Sequence, residues 1–340
     1  AKRARTGEGG ADRAVYTGEE GSLAHTAAAR FFSNLPETCL DGVGTFAAAF
    51  EAVARGEALY GVIPIENSAS GALHSTYDLL VKHDVVIGGE LGIREIYCIC
   101  AKPGTTLPQV RRVLSHPTIL EACSTFIETQ LTGGSVELVP TLSTTDAARR
   151  VAALEAGEGG LAAATVAIAT REAASRHGLQ TMVENIGNET FLESRYILIQ
   201  RRSESTAARP SPFPRDVLSP MKKHSACFAL RNEPQSMFKL LSCWALRGID
   251  VLKVETRPLA AGHRAPPGLP SGTARLWDYL FYVDYAVPAG QTAEASAKLW
   301  DCLTEFSLWQ RDLGIYPSQL TRAEKRSQSW AEMVDLMAKG

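Results

Sequence analysis

An α/β fold built as two units is what the sequence predicts, on three observations. From residue 14 to about residue 202, short apolar runs alternate with amphipathic stretches of helical period, the pattern of a sheet covered by helices. Residues 203–222 then turn to Ser, Pro, Ala and Arg with hardly an apolar contact, the composition of a linker. Beyond them, strand, helix, strand, strand and helix patterns follow one another over residues 224–313, the succession of a small ferredoxin-like module. The length of 340 residues agrees, because single cores rarely grow past about 250–300 residues.

In the first unit, strands are expected where short runs of three to seven mainly apolar or β-branched residues occur: 14–16, 60–65, 85–91, 95–101, 136–140, 163–169 and 196–200. Helices are expected where apolar residues recur at three- and four-residue spacing: 23–32, 45–55, 71–82, 118–130, 144–154 and 170–177. In the second unit the strands are 224–231, 249–257 and 276–285, the helices 235–247 and 292–313, and a Pro-, Gly- and Ala-rich loop spans 258–273. The units run from 13 to 202 and from 223 to 317, between a flexible start (1–12) and an extension (318–340). In that extension Trp330, Met333, Leu336 and Met337 form one apolar stripe, which predicts a helix over 322–338 that docks on another surface.

Lys and Arg (35) nearly balance Asp and Glu (37), so no net field draws the chain to nucleic acid or to an acidic membrane surface, and small molecules or proteins are the expected partners. The longest apolar runs, such as 96–101, fall far short of the roughly 20 residues a bilayer span needs. The seven cysteines contain no C-x-x-C and sit mostly in apolar runs, which predicts buried thiols in a reducing compartment and no metal site. The first residues are basic, with no Met and no apolar stretch, as a processed terminus would be. An arbitrary edge fits as well; if a transit peptide has been removed, the compartment is a plastid or a mitochondrion, with the plastid stroma the expectation.

The most informative stretch is Pro-Ile-Glu-Asn-Ser-Ala-Ser-Gly at 64–71. It follows the apolar run 59–63 and precedes the helical spacing of Leu73, Tyr77, Leu79 and Leu80. Glu66, Asn67, Ser68 and Ser70 are thereby delivered to a strand's C-terminal edge and a helix N-terminus, where open α/β sheets hold small anions. An ordinary Asn/Ser cap fits the local pattern equally well. His116, followed by Pro117, reads more naturally as a turn histidine than as a general base.

Together with Leu114-Ser115-His116-Pro117, Pro140-Thr141, Ala167-Ile168-Ala169, Glu255-Thr256-Arg257-Pro258 and Leu313-Gly314-Ile315-Tyr316-Pro317, that stretch makes residues 13–317 resemble the arogenate and prephenate dehydratases. The resemblance implies a two-lobed dehydratase domain of periplasmic-binding-protein type II form, followed by a ferredoxin-like βαββαβ ACT domain that senses phenylalanine. It also implies the activity, in which a cyclohexadienol loses its ring carboxylate as CO2 and its ring hydroxyl as water. Aromatisation drives that reaction, so no cofactor is expected. What the site must supply is a donor to the departing hydroxyl and fixed groups for the carboxylates. By the same resemblance Ser194, at the position of the family's catalytic Thr, acts with Asn67 and Ser115. Glu66, Ser68, Ser70, Gly71, Thr141, Ser143 and Arg195 bind substrate, and Gln235, Ser236, Met237, Glu255, Thr256 and Arg257 form the phenylalanine site.

Several positions depart from the family pattern. Glu19 and Ala24 replace a Pro and a hydroxyl residue in the first loop, putting Glu19 and Glu20 beside an anion cleft. Thr118 and Ala122 stand where Gln is usual, Leu142 where an acidic residue is found, and Gln235-Ser236-Met237 where Gly-Ala-Leu is expected. These changes set a second function beside the first: a homologue without turnover, serving as a structural or regulatory subunit. They also predict weak phenylalanine binding. The apolar faces over 276–303 predict self-association or a place in a larger assembly.

Overall fold

The computed structural model describes residues 13–33, 39–131, 134–154, 164–189, 191–202, 222–231, 233–259, 266–270, 275 and 277–318. The expected flexible start, most of the linker and the docking helix at 322–338 lie outside the described residues. The chain runs β1 (Ala14–Thr17), α1 (Leu23–Phe31), β2 (Leu40–Val43), α2 (Phe46–Ala54), β3 (Tyr60–Asn67), β4 (Gly71–Ala72), α3 (His74–Lys82) and β5 (Val85–Arg94). It then builds a second lobe: β6 (Cys98–Ala101), β7 (Arg112–Ser115), α4 (Pro117–Ala122), α5 (Ser124–Gln130), β8 (Glu137–Pro140), α6 (Thr144–Ala153), β9 (Thr165–Ala169), α7 (Arg171–Arg176) and β10 (Gln180–Glu184). Finally β11 (Glu193–Arg201) returns to the first sheet.

The two sheets share one topology. The first is ordered β2-β1-β3-β11-β5 and the second β8-β7-β9-β6-β10, and in each the fourth strand along the sheet is antiparallel to the third. This duplicated order is the two-lobed type II form expected above. Because β11 completes the first sheet after the second has been built, the chain crosses between lobes twice. The passes are hydrogen-bonded to each other, Glu95 N to Leu192 O at 2.8 Å and Ile186 N to Tyr97 O at 3.1 Å.

A third sheet follows, from β12 (Lys222–Leu230), α8 (Ser236–Ala245), β13 (Val251–Pro258), β14 (Tyr279–Val287), α9 (Ala293–Phe306) and β15 (Ser307–Pro317). Its antiparallel order β13-β14-β12-β15 is ferredoxin-like. Strand alternation gives it two apolar faces. Ala226, Phe228, Val283 and Tyr285 pack under α8 and α9 with Trp244, Leu299 and Leu303, while Cys227, Ala229, Leu280, Tyr282 and Tyr316 join one core with α2, α3 and the first sheet. Most of the apolar surface that pointed to self-association is thus covered within the chain. Trp277 and Tyr279 remain exposed.

Four local expectations need correction. The last helix stops at Phe306, not residue 313, because the free edge of β12 recruits 307–317 as a strand, and Gly314 (φ +115°) adopts a backbone that no helix permits. A Cβ at Gly314 would stand 2.5 Å from Ile87 O, so close approach to β5 also requires glycine there. The helix expected from 71 begins at His74, since Gly71 and Ala72 pair with Asn67 and Glu66. Residues 118–130 form two helices broken at Cys123. Strands β2, β7 and β10 lacked a clear sequence signal, the first and last being short and largely polar or half-exposed.

The third sheet is joined to the first lobe by buried charge as well as apolar contact. Arg195 reaches Asp284 at 3.0 Å and Glu90 at 3.5 Å, Lys223 meets Glu90 at 2.5 Å, Ser318 donates to Glu90, and Ser225 donates to Asp284 at 2.6 Å. Burial alone would push the Asp284 carboxyl up, but Arg195 and Lys223 overcome it and hold Asp284 below the usual carboxylate range. At the rim, Arg257 grips Asp78 of α3 through two 2.9 Å bonds. Asp284→Asn removes one partner from a buried network, and the expected cost is about 3 kcal/mol in denaturant unfolding at neutral pH. Because the native Asp284 group is depressed, its contribution is complete above the unfolded value near 4 and is lost as pH falls through the lower native value. The stability gap between wild type and variant should therefore be full at pH 7 and close on acidification below about pH 4.

Candidate active site

The site is set by the pairing of β3 with β11. Their antiparallel register places Ser194 opposite Asn67 and Arg195 opposite Glu66. With a side-chain period of two, Asn67 and Ser194 face the space between the lobes, whereas Glu66 and Arg195 face the third sheet. An irregularity in register between Arg195 and Tyr196 lies just past the site.

That space is a cleft of about 570 Å³. Leu23, Asn67, Ser70, Leu73 and Ser194 come from the first lobe, Thr118, Ile119, Glu121 and Ala122 from α4, and Glu95, Tyr97, Asn185, Asn188, Glu189 and Leu192 from the two crossing segments. The Asn67 carbonyl oxygen accepts from Ala69 N (2.9 Å) and Ser70 N (3.1 Å), an Asx turn that fixes the side chain. Its amide then donates at 3.1 Å both to Ser194 Oγ and to Glu95 Oε1. Ser194 Oγ donates to the same Glu95 oxygen, and Tyr97 OH donates to the other. Burial first, then the adjacent Glu95, pushes the Tyr97 phenol well up, so it remains a donor at neutral pH.

The charge in the cleft is one-sided. Glu95, Glu121 and Glu189 line it, and among the described residues no Lys, Arg or His does. The acidic pair expected beside the cleft is elsewhere: neither Glu19 nor Glu20 is part of its lining, and Glu20 pairs with Arg176 across the lobes. Leu142 is 84% exposed, outside the cleft, and Ala24 is buried under the first sheet.

Of the residues singled out from sequence, the structure brings Ser194, Asn67 and Ser70 together. Glu66 and Arg195 are turned away by strand alternation: Glu66 binds Lys253 and lies 3.5 Å from Arg195 in the inter-sheet network. Ser115 is fully buried and donates to Ile168 O at 2.8 Å, a bond between β7 and β9. Ser68 is tied to Glu193 through both backbone and side chain. Thr141 donates to Ser143 O, Ser143 caps α6, and Gly71 (φ +79°) turns the chain into β4.

Of the residues assigned to phenylalanine, Ser236, Glu255 and Arg257 are likewise engaged. Gln235 sits at φ +66° ahead of α8, a strained conformation costing on the order of 1 kcal/mol. Ser236 donates to Arg231 O and Glu233 O, and Met237 follows it in α8. On β13, Glu255 lies 3.6 Å from His74 and Arg257 holds Asp78, with Thr256 between them.

Sequence reasoning missed Glu95, Tyr97, Asn185, Asn188 and Glu189. The one available signal was an acidic residue opening the apolar run 96–101. Its meaning depends on which strand ends the two crossings bring together, and no local pattern carries that.

Comparison with known proteins agrees with this architecture. Residues 14–204 match the family described as prephenate dehydratase. The chain is 32% identical over 310 residues to a protein of Arabidopsis thaliana named arogenate dehydratase/prephenate dehydratase 2, chloroplastic, covering 91% of this chain and 74% of that one. Two solved structures share the fold at 24% identity. One is prephenate dehydratase from Arthrobacter aurescens in complex with L-Phe (TM-score 0.67, 96% of this chain and 100% of that one). The other is GqqA, described as a novel type of quorum quenching acylase (TM-score 0.68, 90% and 97%). With more than half of its length matched by the family and nine-tenths aligned to a plant relative, the chain belongs to the prephenate dehydratase family.

Proposed function

We propose that the protein converts arogenate, and less well prephenate, to the aromatic product by loss of CO2 and water. The observation that carries this reading is the Ser194 hydroxyl, set at the mouth of β11 in the inter-lobe cleft and fixed there by Asn67 and Glu95. Ser194 presents its proton to the departing ring hydroxyl. Asn67 holds Ser194 in place, and the apolar walls of Leu23, Leu73, Ile119 and Leu192 strip water from the ring carboxylate so that it leaves as neutral CO2. Residues 13–202 serve as the dehydratase unit and 223–317 as an ACT unit. The comparisons lend nothing to the alternative of a subunit without turnover. A plastid setting is the natural one, given relatives named as chloroplastic.

Arogenate is preferred on electrostatic grounds. It carries an ammonium where prephenate carries a keto group, and in a cleft lined by three carboxyls and no cation among the described residues, Glu121 or Glu189 can pair with that ammonium. The expected kcat/KM for arogenate exceeds that for prephenate by about tenfold or more, a difference of roughly 1.4 kcal/mol. Equal values, or the reverse order, would remove the charge argument. Ser194→Ala is expected to lower kcat about 10²-fold with an unchanged melting curve, and undiminished turnover by this variant would reject the assignment. Phenylalanine binding by the ACT unit should be weak, because Glu255 and Arg257 are already committed to His74 and Asp78. Calorimetry should show little heat at micromolar phenylalanine, and a tight, saturable isotherm would contradict it.

A further inference from the structure

A serine hydroxyl cannot by itself finish the reaction proposed above. When the ring hydroxyl leaves it needs a proton, and an alcohol that gives one up becomes an alkoxide unless it is resupplied within the same step. The cleft holds a group able to do so. Glu95 is 9% exposed, lies on the first crossing segment, and shares its Oε1 with Ser194 Oγ and the Asn67 amide while Tyr97 holds Oε2. The hydroxyls on both sides can rotate, so either protonation state of the carboxyl finds partners. As an acid it donates to Ser194 Oγ while Ser194 donates onward, and as a carboxylate it accepts from both Ser194 and Tyr97.

The geometry points to Glu95 as the proton source for departure of the ring hydroxyl, acting through Ser194, an inference that rests on the dehydratase reading. The bond from the ring to the carboxylate breaks to give CO2, and its electron pair enters the ring. The ring carbon–oxygen bond breaks with its pair on oxygen. That oxygen takes the Ser194 proton and leaves as water, Ser194 takes the Glu95 proton, and Glu95 is left as a carboxylate that solvent reprotonates. The sum is substrate plus one proton giving aromatic product, CO2 and water. Beyond Asn67 and Ser194, the groups facing Glu95 are mostly neutral or acidic. Tyr97 on its own segment and Tyr196 on β11 both have phenols pushed up, by burial and then by Glu95 itself, so both stay neutral. The Cys123 thiol beside Tyr97 is pushed up to about 12 by burial. Glu121 and Glu189 line the cleft opposite, and among the described residues no basic side chain lines it.

The test is the pH dependence of kcat and KM for the full chain with arogenate and prephenate, between about pH 5 and 9, with the solvent deuterium isotope effect on kcat. Wild type is expected to show kcat falling on the alkaline side and a normal isotope effect. Glu95→Gln keeps the shape of the side chain but holds no acid. It should lower kcat about 10²-fold, leave KM within about threefold, and lose the alkaline fall. Wild-type turnover with a kcat that is flat in pH and insensitive to deuterium overturns the proposal even if Glu95→Gln does not fold. A folded Glu95→Gln enzyme with wild-type kcat and pH profile overturns it too, and in both cases the dehydratase reading stands. Failure of wild type to turn over either substrate removes that reading and this proposal together.

Discussion

The antiparallel pairing of β3 with β11 is the constraint on which the rest of the molecule depends. It brings together two chain segments more than a hundred residues apart, Asn67 opposite Ser194 and Glu66 opposite Arg195. Because successive side chains on a strand point to opposite faces, one register fixes two sites at once. Ser194 and Asn67 meet in the cleft, and one residue along each strand Arg195 and Glu66 enter the charge network under the third sheet. A slip of one residue would exchange the two sets, putting a guanidinium in the cleft and a lone hydroxyl among buried carboxylates.

That coupling explains why so much charge is buried between the first lobe and the third sheet. Arg195, Glu90, Lys223 and Asp284 are all under a tenth exposed, and such a cluster stabilises only when every member has a partner. Here Ser225 donates to Asp284 and contacts Tyr316 at 2.6 Å, and Ser318 donates to Glu90, while Glu90 Oε2 and Arg195 Nε make only ion-pair contacts at 3.5 Å. The surrounding apolar residues, from Leu80 and Ile63 to Tyr282 and Leu313, keep water out and join the two sheets into one core. The third sheet is thus docked through its open face, and its helices α8 and α9 cover the other.

The cleft differs in kind. It lies at the two crossings between lobes, where the backbone is neither helix nor strand, and its polar groups are held by the Asx turn at Asn67 and by Asn188, which accepts from Thr125 N and donates to Glu121 O across the chain. Three carboxyls, those of Glu95, Glu121 and Glu189, line it, and among the described residues no cation does.

The sequence by itself determined the alternation of strands and helices, the βαββ order of the third sheet, and the strand-to-turn delivery of Asn67 and Ser70, because apolar period and turn chemistry are local properties. It also pointed to Ser194, through motif resemblance. It did not determine the roles of Glu66, Arg195 and Ser115. A strand residue's face follows from its pairing partner and register, and here that partner lies across the fold. Nor could it separate the last helix from β15, since residues 307–317 become a strand only because β12 leaves an edge to pair with. The tertiary structure alone decided that Glu95, an unremarked acid at the head of an apolar run, ends beside the Ser194 hydroxyl. Two crossings of the chain must meet before those side chains become neighbours, and no sequence spacing measures that distance.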